Sequence, residues 1–173
     1  MNRFASPLLR LLDRVSAPGT VSAHCDIPCG IYDPHAAQIS ALTVVRMNQL
    51  IAGLQVPTLD APADQRVVFL NSFARYVATK ESHAESCKKE LDILWHDYFK
   101  PEHLEKYPDL HARFWNATKL ASKNKQTVDA QAANDLLAAV NEVAEVFWAT
   151  KGVPTRRGPS NQAVGGELVY PAN

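Results

Sequence analysis

The sequence predicts an all-α protein, an antiparallel four-helix bundle preceded by an N-terminal metal-binding hook. Two observations carry the bundle: four long stretches in which apolar residues recur every three or four positions, and short breaks of Pro, Gly or Lys-Asn-Lys between them. A third carries the hook: His24-Cys25-Asp26-Ile27-Pro28-Cys29 stands immediately before the first stretch, with thiols and an imidazole close together.

The first helix follows Asp33-Pro34, a capping residue and a proline with its φ already helical. Ile39, Leu42, Val45, Leu50, Ile51 and Leu54 repeat at helical spacing, and Gly53 and Pro57 close it. The second runs from about Pro62 to Lys100-Pro101, with Phe69, Phe73, Val77, Ala84, Cys87, Leu91, Leu94 and Tyr98 as its apolar series. That is long for a globular helix. Pro108-Asp109 opens the third, which carries Leu110, Phe114 and Leu120 and ends at Lys123-Asn124-Lys125. The fourth spans Val128 to Thr150, with Leu136, Leu137, Val140, Val143, Phe147 and Trp148 on one face. Trp95, Trp115 and Trp148 are expected to serve packing or an interface. Beyond Gly152 the composition turns to Pro, Gly, Arg and polar residues without periodicity, so 152–173 is expected to be a flexible C-terminal tail.

Composition excludes several functions. The 173 residues are 46% hydrophobic with a net charge of zero, enough for one real core and too neutral to attract nucleic acid or an anionic membrane. No apolar run approaches the length needed to cross a bilayer. Three cysteines are too few for a disulfide-stapled fold, so a reducing, cytoplasmic setting is expected, with thiols kept for metal. Residues 1–23 begin with Arg3 and carry Leu8, Leu9, Leu11, Leu12 and Val15, but Arg10, Asp13 and Arg14 interrupt the apolar core that a secretory signal requires. Val21-Ser22-Ala23 offers small residues where a peptidase can cut.

Taken alone, Cys25 and Cys29 are equally readable as a metal pair or as a local disulfide or inert thiols. The wider string is more specific. His24-Cys25-Asp26 with Pro28-Cys29-Gly30 and Tyr32-Asp33-Pro34 resembles the N-terminal motif of the nickel superoxide dismutases. Leu94-Trp95-x-Asp97-Tyr98-Phe99-Lys100-Pro101 resembles a second signature of that family, and His103-x-Glu105-Lys106-Tyr107-Pro108 and Phe147-Trp148-x-Thr150-Lys151 extend the likeness. It covers His24 to Lys151.

The resemblance implies conversion of two superoxide ions and two protons to dioxygen and hydrogen peroxide, with one nickel per subunit cycling between Ni(II) and Ni(III). By the same resemblance Cys25 and Cys29 supply thiolates, Cys25 also supplies its backbone nitrogen, and His24 supplies its amine and an axial imidazole. Such strongly donating ligands are what stabilise the higher oxidation state. An amine ligand requires a free chain end, so 1–23 reads as a leader removed by a maturation peptidase at Ala23-His24, leaving a dismutase domain at 24–151 with its hook at 24–32. The resemblance also implies a homohexamer, Tyr32 over the open face of the metal, a cis Ile27-Pro28 bond, and a hydrogen bond from Tyr98 to Tyr32. Asp26 and Asp97 are supporting candidates.

Two positions depart from the family pattern. Where many members carry a carboxylate and an arginine that steady the axial imidazole, this chain has Ser40 and His83. His83 and Cys87 lie four apart on one helix face, but a lone pair lacks the ligands of a protein metal site, and Cys87 fits better as a small buried hydrophobe. His35, His96, His103 and His111 share no ligand spacing and are assigned no catalysis. A non-catalytic nickel or copper carrier using the same ligands is the alternative. A thiol-disulfide protein is a further rival, but the α/β pattern it requires is absent from the sequence.

Overall fold

The computed structural model describes residues 30–172; His24, Cys25, Asp26, the Ile27-Pro28 bond and Cys29 lie outside the described residues. Four long helices form the bundle. They are α1 (His35–Ala52), α2 (Ala63–Ile93), α4 (Leu110–Gln126) and α5 (Ala130–Thr150), with a short α3 (Pro101–Lys106) between α2 and α4. Each long helix packs on two others, α1 on α2 and α5, and α4 on α2 and α5. Leu42, Val44, Leu91, Leu110, Phe114, Leu136, Val140, Val143 and Phe147 meet in the shared core.

The helix ends follow from local chemistry. Asp33 Oδ1 accepts the His35 N–H at 2.7 Å, satisfying a donor that the first turn of α1 cannot. Asp129 does the same for α5 by accepting the Ala132 N–H at 3.0 Å, and it pairs with Lys123 at 3.0 Å across the preceding turn. At the other end of α5, Gly152 adopts φ +71°, which a side chain would resist, and Val153 N–H reaches back to Trp148 O at 3.0 Å. The C-terminus of α4 is closed from outside: the buried Lys80 ammonium of α2 donates to Asn124 O, and to Thr127 O at 2.6 Å. A cation placed on free carbonyls at a helix C-terminus also suits the helix dipole.

The long second helix is not α-helical throughout. Leu94–Tyr98 forms a π-helical turn, closed by Phe99 N–H to Leu94 O at 3.0 Å. Lys100-Pro101 then ends the run as expected, and Pro101 opens α3, a helix that periodicity did not reveal.

The expected flexible tail is instead folded. Residues 155–171 form an antiparallel hairpin, β1 (Thr155–Pro159) with β2 (Glu167–Pro171), in which Gly158 faces Leu168 and Arg157 faces Val169. Leu168 and Val169 are buried against the bundle. Gln38 of α1 donates to Asn141 Oδ1 of α5 at 2.8 Å and to Val169 O at 3.3 Å, while Asn141 donates to Glu167 O at 2.9 Å. Gly166 lies so close to Leu42 and Leu137 that a Cβ would sit 3.2 and 3.3 Å from them. Arg157 adds a two-bond contact to Glu145 at 2.7 and 3.1 Å.

Candidate functional site

The π-helical turn and the segment entering α1 meet in a cleft of about 330 Å³, lined by Gly30, Tyr32, Asp97, Tyr98, Lys100, His103 and Lys151. Opening a helix by one residue per turn changes which side chains face inward, and such turns recur at functional sites. Here Asp97 and Tyr98 are carried into the cleft from the end of α2, Lys100 and His103 come from the start of α3, and Lys151 from the end of α5.

Tyr98 is the hub. Its ring lies 5.7 Å from Tyr32, 4.5 Å from Phe147, 5.0 Å from Phe99 and 5.6 Å from His103, the last nearly parallel. Its hydroxyl is 2.7 Å from Thr150 Oγ1, and Thr150 Oγ1 donates to Phe147 O at 2.6 Å. Threonine has one hydroxyl proton, and Phe147 O receives it. Tyr98 is therefore the donor to Thr150, and its phenolic oxygen keeps acceptor capacity for another hydroxyl or water. Sequence spacing alone accounted for Tyr98 only as core; the bond to Thr150 emerges from the fold.

His103, assigned no role from sequence, stands in the cleft wall. Its Nδ1 accepts the Lys100 N–H at 3.1 Å while the His103 backbone N–H donates to Lys100 O at 2.9 Å, so the ring is held at the start of α3. A proline at the first helical position followed by a histidine two residues later was the signal that could have found it. His96 instead has Nδ1 2.8 Å from Asp92 O, His111 meets Trp95 edge-on at 5.6 Å, and His35 is exposed.

The remaining candidates sit on the facing helices α1 and α2. Ser40 is buried on α1. His83 is half-buried on α2, with Nδ1 enclosed and without a hydrogen-bond partner. One turn further, Cys87 is fully buried, and burial pushes its thiol up to about 12, with Glu90 adding to the effect. A thiol kept neutral is a poor metal ligand. Among the described residues no group of three or more His, Cys, Asp or Glu side chains is placed to hold a metal ion. Thiolate donors of the kind nickel prefers are offered by the sequence in the cysteines of the hook, and Gly30, the residue after Cys29, lines the cleft.

Comparison with known proteins settles the family. The sequence model described as nickel-containing superoxide dismutase matches residues 19–151. The chain belongs to that family. It is 37% identical over 142 residues to the nickel superoxide dismutase of Streptomyces coelicolor and 39% identical over 142 residues to that of Streptomyces seoulensis, in each case covering 82% of this chain and 98% of the relative. A native nickel superoxide dismutase structure superposes with a TM-score of 0.64 at 35% identity, covering 74% of this chain and 99% of that one. A structure with nickel ligation corresponding to the oxidised state gives 0.65 at 36%, covering 75% and 99%. As a nickel superoxide dismutase the chain is an oxidoreductase acting on superoxide with nickel as its cofactor, and the carrier alternative falls. The hairpin lies beyond the matched residues.

Proposed function

We infer that dismutation takes place at the Tyr32 cleft, with nickel held by the hook at 24–32, of which Gly30 and Tyr32 line it. The observation that carries this reading is the convergence of Gly30 and Tyr32 with Tyr98, His103 and Lys151 in one cavity, one residue along the chain from Cys29. His24 gives its amine and imidazole, Cys25 its sulfur and backbone nitrogen, and Cys29 its sulfur. Bound there, nickel supplies the one-electron couple that takes an electron from one superoxide and gives it to the next.

This chain's own residues handle position and protons. Tyr32 orders superoxide or a proton-bearing water at the cleft floor, and Tyr98, whose own proton is committed to Thr150, accepts the hydrogen bond that aligns it. Forming hydrogen peroxide consumes two protons, so an ordered hydroxyl pair next to the reacting oxygen has a direct use. Asp26 and Asp97 support the hook. Ser40 and His83, whose Nδ1 has no hydrogen-bond partner, would take over from the family's carboxylate and arginine in steadying the His24 imidazole.

The leader at 1–23 keeps His24 in an amide, whose nitrogen has no free lone pair, until a peptidase cuts after Ala23. The mature chain assembles with copies of itself, as a hexamer, in the cytoplasm. Exposed apolar residues on the first half of α2 (Val67, Val68, Leu70 and Phe73) supply a surface for this. Among the described residues no helix is long and apolar enough to cross a membrane.

The test compares protein beginning at His24 with protein retaining 1–23, measuring nickel content and superoxide consumption. About one nickel per chain and rapid turnover are expected only when His24 is free. Full activity in chains shown by mass spectrometry to retain the leader would sink the amine-ligand model.

A further inference from the structure

We propose that the leader, until it is cut away, docks through Leu8–Val15 on the exposed start of α2 and withholds that surface from other copies of the chain. A groove of about 390 Å³ runs there between the segment after α1, at Leu54, Val56 and Pro57, and the first turns of α2, at Asp64, Val68 and Phe69. Val56 and Val68 are 77% and 64% exposed, and Leu59, Val67 and Leu70 on the same two segments are more than half exposed. An apolar face of that kind marks a docking surface. Its two walls are tied together, since Arg66 Nη1 of α2 donates to Leu59 O at 3.1 Å, and the Phe69 and Phe73 rings stack at 6.1 Å one turn apart.

The leader has the matching pattern. Leu8, Leu11, Leu12 and Val15 stand at i, i+3, i+4 and i+7, the anchor spacing by which an amphipathic helix lies in an apolar groove, and Ser6-Pro7 and Pro18-Gly19 bracket them as start and stop signals. Charge agrees. Asp64 is the one charged residue among the described lining of the groove, Asp60 lies in the loop that supplies the other wall, and among the described residues neither is in an ion pair. The leader brings Arg10 and Arg14, four apart, against a single Asp13. A second copy set groove to groove would instead place Asp64 against Asp64. Reach is sufficient as well: Val15 precedes Gly30 by 15 positions, which extended span about 50 Å, whereas α1, beyond whose far end the groove lies, is about 27 Å long.

One cut after Ala23 then does two things. It frees the amine of His24 and clears the face by which copies associate, so that chains assemble only once they can hold nickel.

This rests on the reading of that face as the assembly surface, and two measurements separate the claims. The first is the sedimenting mass of the full chain, of the chain beginning at His24, and of a full chain carrying Leu8→Ser and Leu12→Ser, each with and without nickel. The full chain is expected to hold fewer subunits per particle than the other two, whether or not nickel is present. The second is hydrogen exchange of residues 54–73 at a dilution where every protein sediments as a single subunit. Exchange in the full chain is expected to be about tenfold slower than in the doubly substituted chain, the protection that about 1.4 kcal/mol of docking confers. If even the chain beginning at His24 stays single, association through this face fails and exchange alone decides the docking. Otherwise equal masses for the full and doubly substituted chains overturn the proposal, as do unchanged exchange at 54–73 and a mass difference that appears only with nickel.

Discussion

The two halves of α2 lead different lives. From Lys80 onward the helix lies inside the bundle, with Lys80, Ala84, Cys87 and Leu91 buried at steps of three and four. From Ala63 to Thr79 no residue is buried, although Val67, Val68, Phe69, Leu70, Phe73 and Val77 are as apolar as anything in the core. At 1.5 Å per residue the 31-residue helix is about 46 Å long, well beyond the 17 residues of α4 beside which it packs. Apolar periodicity therefore means different things along one helix: in the second half it marks core, and in the first it marks surface that the other described residues leave unburied. Packing among the described residues leaves that surface open, and the proposed association between copies would cover it.

Breaking the buried half should cost most. Leu91→Ala removes a side chain that is 0% exposed, and chemical denaturation should show a loss of about 2–5 kcal/mol. A loss under half that range would mean that this part of α2 is looser than its burial implies.

Lys80→Met should cost less, roughly 1–3 kcal/mol, because it leaves Asn124 O and Thr127 O without their donor while keeping the packed stem. The pH dependence has a definite sign. Burial lowers the Lys80 pKa below its ordinary 10.5, with Glu81 opposing, so in the window between the folded-state value and 10.5 the unfolded chain binds more protons. Stability relative to Lys80→Met should rise as pH climbs through that window. A gap between the two proteins that narrows there would contradict it.

In the exposed half, Val67→Lys with Phe73→Ser should move the stability of an isolated subunit by no more than about 0.5 kcal/mol each, as surface changes do. The sedimenting mass should nevertheless drop. An unchanged assembly with intact mass would place the interface elsewhere.

Much of the bundle is legible in the sequence because its signals are local. Asp33-Pro34, Gly53, Pro108-Asp109 and the start of the fourth series at Val128 mark ends that fall within a residue or two of those observed, and the apolar steps of α5 run unbroken from Ala132 to Phe147. The hairpin is illegible for an equally physical reason. Thr-Arg-Arg-Gly-Pro buries only its glycine, and in β2 the buried residues Leu168 and Val169 are adjacent instead of alternating, so no period of two exists to be read. What orders these strands is Gln38 and Asn141, far away in sequence. Trp115 shows what helical spacing leaves open. Of the tryptophans expected at packing or an interface, it is 59% exposed with Lys119 above it, while Trp95 and Trp148 pack on the core. The cleft was half legible: Tyr32, Asp97 and Tyr98 stood out as site candidates, whereas Lys100, His103 and Lys151, part of the same motifs, had no role until a π-helical turn and the end of α5 brought their elements together.

The contact from Gln38 to Val169 spans 131 residues and closes the seam between α1 and α5. During synthesis, α1 is the first of the described helices made and β2 follows all of them. Until residues 167–169 are made, the amides of Gln38 and Asn141 have each other but lack their backbone partners, and the apolar seat of Leu168 stays open to water. A chain interrupted after α5 would thus carry every residue that matches the family and still present an unfinished seam to whatever inspects new proteins.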